Sequence, residues 1–128
     1  MKKVMVFGTF DILHEGHIDF FKQAKEHCDF LIAVVARDST VKQIGKRVIQ
    51  NENERLKNVH RFVDLAVLGG TGDKYEVIKK YRPDVICLGY DQTHFVEGLS
   101  NIPVEVIRLK PYQEHIFKSS LIRNSRKY

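Results

Sequence analysis

The chain has 128 residues, which is enough for one domain with a hydrophobic core. Hydrophobic residues make up 43% and charged residues 29% of it, a composition that excludes a disordered or fibrous protein. The formal charge of +5, from 21 Lys and Arg against 16 Asp and Glu, favours small polyanions such as nucleotides as ligands over RNA or DNA.

Apolar, β-rich runs alternate along the chain with longer stretches of helical spacing. The apolar runs predict strands over 3–8, 29–36, 63–69, 84–89 and 104–109, and the amphipathic stretches predict helices over 17–28, 51–62 and 73–82, with a short helix beginning near Ser119. This alternation predicts right-handed crossovers and a Rossmann-like α/β fold. We expect an open, parallel, five-stranded sheet with helices on both faces, formed by residues 1–128 as a single domain.

The two cysteines, Cys28 and Cys87, lie far apart in the sequence and form no C-x-x-C unit. They fit buried thiols in a reducing compartment better than a disulfide framework or a zinc site. No apolar run approaches the length that crosses a membrane. We therefore expect a cytoplasmic protein with no membrane partner and no nucleic-acid partner.

The stretch GTFDILHEGH, residues 8–17, forms the turn from the first predicted strand into the first predicted helix. Ligands of such sheets bind beyond the carboxyl ends of the strands, and a helix start offers N–H groups and a positive dipole end to anions. Two imidazole donors in the same turn predict a phosphate site, although two surface histidines at a helix start remain the alternative. Its expected parts are Gly8 for close approach, Thr9 and Phe10 for N–H groups, His14 and His17 as donors, and Gly16 for space.

GTFDILHEGH resembles the nucleotidyltransferase superfamily marked by a His-x-x-His pair. VARDSTVKQIGKR, LGYDQTHF and VIRLKPY resemble the archaeal FAD synthases, which are FMN adenylyltransferases. The resemblance implies transfer of AMP from ATP to FMN, a divalent metal such as Mg²⁺ carried with ATP, and a homodimer as the common state of related enzymes. It gives the catalytic task to His14 and His17, and it implies a nucleotide site made of Thr9, Phe10, His14, Glu15, Gly16, His17, Asp91, Gln92, Ser119 and Ser120.

Basic residues provide further phosphate-binding candidates. In the cytidylyltransferase relatives, lysines of the loop after the second strand and an arginine of the next helix approach the phosphates. Lys42, Lys46 and Arg55 occupy similar positions here, and Lys110 is the basic residue nearest to a further family arginine. A solvated basic loop is the alternative interpretation of this segment.

Two later segments complete the predicted nucleotide pocket. Asp91 and Gln92 follow the fourth strand, where a carboxylate and an amide can bind a nucleobase edge or ribose hydroxyls; a helix N-cap is the alternative for Asp91. Ser119 and Ser120 in KSSLIR resemble the second signature of the family and can both cap a helix and bind phosphate. No metal site made only of protein ligands is visible.

Two other functions stay open at this point. One is a cytidylyltransferase that acts on glycerol 3-phosphate or a similar small phosphate. The other is a nucleotide-binding regulatory module without catalysis, against which the presence of His14, His17 and Ser119 argues.

Overall fold

The structure is a computed structural model that describes residues 1–70, 75–90, 92 and 102–112. The described residues form the strands β1 (Lys3–Gly8), β2 (Phe30–Val35), β3 (Leu65–Leu68), β4 (Val85–Leu88) and β5 (Glu105–Arg108), and the helices α1 (Glu15–Lys25), α2 (Asp38–Gln43), α3 (Glu52–Val59) and α4 (Glu76–Tyr81). Asp91, Ser119, Ser120 and the predicted short helix lie outside the described residues.

The five strands form one sheet in the order β3-β2-β1-β4-β5, and every pairing is parallel. The central strand β1 pairs with β2 from Lys3 opposite Phe30 to Gly8 opposite Val35. After β3 the chain crosses to the other side of β1, so the topological switch point lies between the carboxyl ends of β1 and β4. The predicted open parallel sheet is confirmed.

Helices cover both faces of the sheet, as predicted. Alternate residues of β1 point to opposite faces, so the sheet has two cores. One contains Val4 and Val6 with Phe21 and Ala24 of α1 and Val59 of α3; the other contains Met5 and Phe7 with Val77 and Ile78 of α4. None of the helices in the described part of the chain has the length and apolarity needed to cross a bilayer.

The short helix α2 differs from the sequence expectation, which treats this basic segment as a loop. The Asp38 N–H donates to Oε1 of Glu52 over 2.8 Å, and the Glu52 N–H donates to Oδ2 of Asp38 over 3.2 Å. The first residues of α2 and α3 therefore satisfy each other's backbone N–H groups. Because these partners are 14 residues apart, hydrophobic periodicity within α2 alone does not reveal the helix.

Candidate active site

The loop that follows β1 carries two residues in the left-handed backbone region. Phe10 has a φ of 55° and Ile12 has a φ of 48°, values that cost about 1–3 kcal/mol each for residues other than glycine. Asp11, between them, accepts hydrogen bonds from the N–H groups of Ile49 (2.9 Å) and Gln50 (3.0 Å), and Oε1 of Gln50 accepts one from the Ile12 N–H (3.0 Å). The two backbone bonds lower the pKa of Asp11. This carboxylate therefore organises the loop.

Phe10 is a core residue whose ring supports the first strand end. A Cβ at Gly8 would lie 2.7 Å from Cζ of Phe10, so the absent side chain of Gly8 makes room for this ring. The ring meets His17 edge-to-face with centroids 5.9 Å apart and packs on Phe21 at 5.2 Å. The sequence pattern assigned the space at Gly8 to a ligand; in the structure the Phe10 ring occupies it.

His14 and His17 form a reciprocal cap at the start of α1. Nδ1 of His14 accepts a hydrogen bond from the Gly16 N–H over 3.0 Å, and Nδ1 of His17 accepts one from the His14 N–H over 3.2 Å. Because both Nδ1 atoms accept, each neutral ring carries its proton on Nε2. The ring centroids lie 4.0 Å apart, so the site presents two adjacent imidazole donors beside the N-terminus of α1.

The protonation of His17 follows from its surroundings. Burial is the main cause that lowers its pKa from 6.5 to about 4; the nearby His14 lowers it further, while the Asp11 carboxylate opposes the shift. At neutral pH His17 is therefore an uncharged hydrogen-bond donor.

Gly16 is required by the ring of His14. A Cβ at this position would lie 2.8 Å from Cε1 and 3.0 Å from Nδ1 of that ring. The sequence pattern predicts space for a phosphate at Gly16, and the structure adds that the glycine allows the imidazole to lie against the helix start.

Arg55 has a different place from the one its sequence position suggests. Its side chain is fully buried, which contradicts the predicted direct phosphate contact in this conformation. The guanidinium donates to the carbonyl oxygens of Thr9 (2.9 Å), Ala36 (2.8 Å) and Gln50 (3.1 Å) and to Oδ1 of Asp38 (2.7 Å). It thus ties the carboxyl ends of β1 and β2 to α2 and α3, beneath the loop that leads to the histidines.

Lys42 and Lys46 are exposed and lie on one cleft. Lys42 is in the last turn of α2, and Lys46 follows Gly45, whose φ is 78°. The structure therefore brings these two candidates together next to the segment that Asp11 binds.

At the switch point, the Gln92 side chain bonds to the backbone of β1 and to that of Gly89, which directly follows β4. Its Oε1 accepts from the Gly89 N–H (3.1 Å), and its Nε2 donates to the Phe7 carbonyl (3.2 Å). Arg108, which sequence reasoning missed, donates to the carbonyls of Gly89 (2.7 Å) and Gln92 (2.9 Å). The side chain of Gln92 therefore shapes the loop after β4. The only feature of the sequence that indicated a role for Gln92 is its amide at the end of a strand. The sequence places Arg108 in a predicted strand but does not indicate these contacts.

The segment after β5 is tied to α1. The backbone of Lys110 exchanges two hydrogen bonds of 2.9 Å with the side-chain amide of Gln23. The Tyr112 hydroxyl donates to Oε2 of Glu15, the first residue of α1, over 2.7 Å. Lys110 therefore lies beside α1 at Gln23. Glu15 begins α1, next to the histidine pair.

In the part of the chain that the structure describes, no three His, Cys, Asp or Glu side chains are grouped as a metal site. A metal at this site would therefore need ligands from the substrate or from residues outside the described ones. Phosphate oxygens are the ligands that Mg²⁺ prefers.

Known proteins are similar to this chain over most of its length. Residues 5–125 match the family model described as cytidylyltransferase-like. The FAD synthase of Thermoplasma volcanium is 40% identical over 96% of this chain and 92% of its own length, and the FAD synthase of Aciduliprofundum boonei is 43% identical over 88% and 80%.

The solved structures agree as well. A crystal structure described as the lipopolysaccharide core biosynthesis protein from Thermoplasma volcanium superposes with a TM-score of 0.81 at 42% identity, covering 88% of this chain and 98% of that one. The pantothenate synthetase of Thermus thermophilus, with a TM-score of 0.58 at 18% identity over 85% of this chain and 55% of its own, shares the fold alone. With its histidine pair at the first helix and its family match over nearly the whole length, this chain belongs to the cytidylyltransferase-like family.

Proposed function

We propose that this protein is an FMN adenylyltransferase, which transfers AMP from ATP to FMN and forms FAD and pyrophosphate. The observation that carries the proposal is the paired imidazole donors of His14 and His17, beside the carboxyl end of β1 in a chain about 40% identical to curated FAD synthases. We place the protein in the cytoplasm, as a single domain over residues 1–128. Family resemblance favours a homodimer.

The triphosphate of ATP lies across the loop after β1 and the start of α1. Within the described residues, the N–H groups of Thr9 and Phe10 donate to no other group, so they remain available to phosphate oxygens. The dipole of α1 and its first N–H groups favour the same anion. Nε2 of His14 and Nε2 of His17 supply two more donors.

The reaction needs no covalent enzyme intermediate. An oxygen of the FMN phosphate attacks the α-phosphorus of ATP, and the bond from that phosphorus to the bridging β-phosphate oxygen breaks. The leaving pyrophosphate takes the electron pair of that bond. The imidazoles hold the α-phosphate in line with the attacking oxygen and neutralise charge that develops on the phosphate oxygens.

A divalent metal such as Mg²⁺ would be held by the phosphate oxygens of ATP and would reduce the charge of the triphosphate. The remaining nucleotide contacts that we propose are Asp91, Ser119 and Ser120, which lie outside the described residues, and the loop that Gln92 shapes. Lys42 and Lys46 supply cations for a phosphate on the β2 side.

A matrix of assays tests the proposal. The purified protein is incubated with ATP or CTP and with FMN or glycerol 3-phosphate, and both pyrophosphate and the joined product are measured. We expect turnover with ATP and FMN, and its loss in the variant with both His14→Ala and His17→Ala. Turnover with CTP and glycerol 3-phosphate but not with ATP and FMN would make the protein a cytidylyltransferase. Nucleotide binding without pyrophosphate in any combination would indicate a regulatory module.

A further inference from the structure

A cleft of about 300 Å³ opens between α2 and the segment 46–51, beside the histidine loop. Its walls combine two lysines with apolar side chains and a few polar groups. The residues that line it are Asp38, Val41, Lys42, Lys46, Val48, Ile49, Gln50 and Asn51. A cleft with both cations and an apolar wall suits a ligand that is an anion at one end and apolar at the other.

The backbone that carries the apolar wall is held by hydrogen bonds, although Ile49 faces solvent. Ile49 is 80% exposed. Its backbone N–H and that of Gln50 are both bound by the carboxylate of Asp11, at 2.9 and 3.0 Å. Asp11 lies in the strained loop between β1 and the histidines, and the neighbouring Ile12 N–H binds Gln50 in return. The backbone of Ile49 is therefore anchored to the loop that leads to the histidine pair.

The cleft lies on the opposite side of the histidine loop from the switch point. It adjoins α2, which follows β2, whereas Gln92 and Arg108 build the loop after β4. A transfer between two substrates needs two pockets that meet at the reacting phosphorus. In open α/β sheets the nucleotide binds at the switch point, so the cleft on the β2 side is left for the acceptor.

We propose that this cleft binds the acceptor, and that Ile49 with Val48 packs against a flat apolar ring system while Lys42 and Lys46 bind the phosphate attached to it. This inference rests on the proposed function and extends it, because it names the residues that select the acceptor. A small polyol phosphate has no ring to cover the apolar wall. The wall therefore discriminates in favour of a flavin phosphate.

Two variants separate the ring contact from the phosphate contact. Dissociation constants of FMN and of riboflavin, which lacks the phosphate, are measured without ATP by the anisotropy of flavin fluorescence. Ile49→Ser should weaken both flavins by about tenfold, since it removes most of one aliphatic side chain from the ring contact. Lys46→Gln should weaken FMN and leave riboflavin within about twofold. Ile49→Leu should restore the binding of both.

Val106→Ser is the matched control. Val106 is also an exposed aliphatic residue, 41% accessible, but it lies on the edge strand β5. This variant should bind both flavins as the unmodified protein does. Because Ile49 is largely exposed, its replacement should leave the thermal unfolding midpoint unchanged, which shows that the variant is folded.

The possible results separate this inference from the proposed function. If the unmodified protein makes FAD and Ile49→Ser binds both flavins within twofold of it, the inference is wrong and the function stands. If no FAD forms, the proposed function is wrong, and the flavin dissociation constants still decide whether the cleft binds a ring. If Ile49→Ser instead turns a dimer into a monomer in sedimentation velocity, with flavin binding unchanged, the wall is an interface between two copies and the inference is overturned.

Discussion

The Nδ1 atom of His17 accepts a hydrogen bond from the backbone N–H of His14, and Nδ1 of His14 accepts one from Gly16 two residues later. Each imidazole thus has Nδ1 occupied by the helix start, and in the proposed mechanism Nε2 of each ring donates to the phosphates. Capping positions usually carry Ser, Thr, Asp or Asn at the N-cap and Glu or Gln three residues later. Histidines at both positions combine the cap with two donors on their far side.

We expect His17→Ala to reduce turnover by two to three decades and ATP affinity only modestly. The ground-state triphosphate keeps its contacts with backbone N–H groups, the helix start and His14, whereas the charge that develops in the transition state loses a preorganised donor. Removing one such donor typically costs about 3 to 4 kcal/mol of barrier. The turnover number and the ATP dissociation constant are measured together. A variant that keeps turnover within a few-fold and loses ATP affinity would make His17 a binding residue.

His17→Gln separates the cap from the donor. Glutamine at this position can accept the His14 N–H, as in an ordinary capping box, but places no ring nitrogen at the phosphates. We expect this variant to unfold at the same temperature as the unmodified protein and to lose nearly as much turnover as His17→Ala. Full turnover in His17→Gln would show that only the cap matters.

Gly16→Ala should separate stability from activity. Alanine is favoured over glycine inside a helix by roughly 1 kcal/mol, but its Cβ would lie 2.8 Å from Cε1 of His14. The ring must move and its hydrogen bond to the helix start weakens. We expect an unchanged or higher unfolding midpoint together with at least a tenfold lower turnover number. Unimpaired turnover would mean that the position of the His14 ring is not required.

The lowered pKa of His17 predicts a pH dependence of stability. Burial lowers its pKa to about 4 from an unfolded value of 6.5. Between these values the unfolded chain binds more protons than the folded one, so the free energy of unfolding rises with pH across this window and falls on acidification. Urea unfolding at pH 7.0, 5.5 and 4.5 should show a steeper loss in the unmodified protein than in His17→Gln. Parallel losses in both proteins would contradict the shift.

Asp11 and Asp38 act in a different pH window. Backbone N–H groups lower the pKa of Asp11, and the Arg55 side chain lowers that of Asp38, in both cases from 3.8. Their stabilisation is present above that value and is lost only as the pH falls through the lowered values. The comparison at pH 4.5 and above is therefore little affected by them.

Arg55→Lys should destabilise the fold strongly, since the lysine ammonium cannot replace the planar guanidinium and its five N–H donors. The buried guanidinium holds three carbonyl oxygens, and leaving such groups unsatisfied costs about 1 to 3 kcal/mol each. We expect a loss of about 3 kcal/mol or more in urea unfolding. Lys57→Gln, an exposed change in the same helix, should stay within about 0.5 kcal/mol. A stable Arg55→Lys variant with a raised KM for either substrate would instead support the direct phosphate contact.

The strands and the sheet type could be predicted from the sequence because their signal is local. Continuous apolar runs such as DFLIAVVA indicate strands covered on both faces, and β2 and β4 are buried throughout most of their length. The helical spacing of residues 17–28 predicts the body of α1, and the helix begins at Glu15. Histidine is not among the usual capping residues, so the local pattern does not predict the reciprocal cap of His14 and His17.

The parts of the site that depend on distant contacts could not be predicted. NENERLKN is polar except for Leu56, and nothing in it indicates that Arg55 is buried. That burial depends on carbonyl groups up to 46 residues away. Likewise, Arg108 binds a loop 16 to 19 residues earlier in the chain. Local patterns identify which residue types surround a site, whereas these long-range bonds decide which of them touch the substrate.

A row of aromatic rings connects His17 with the interior. Phe62 stacks on Phe21 with centroids 6.2 Å apart, Phe21 packs on Phe10, and Phe10 meets the imidazole edge-to-face. Because each ring supports the next, loosening of the interior on heating displaces the imidazole at the same time. Inactivation and melting should therefore coincide in this protein, without a temperature interval in which a folded molecule has already lost its activity.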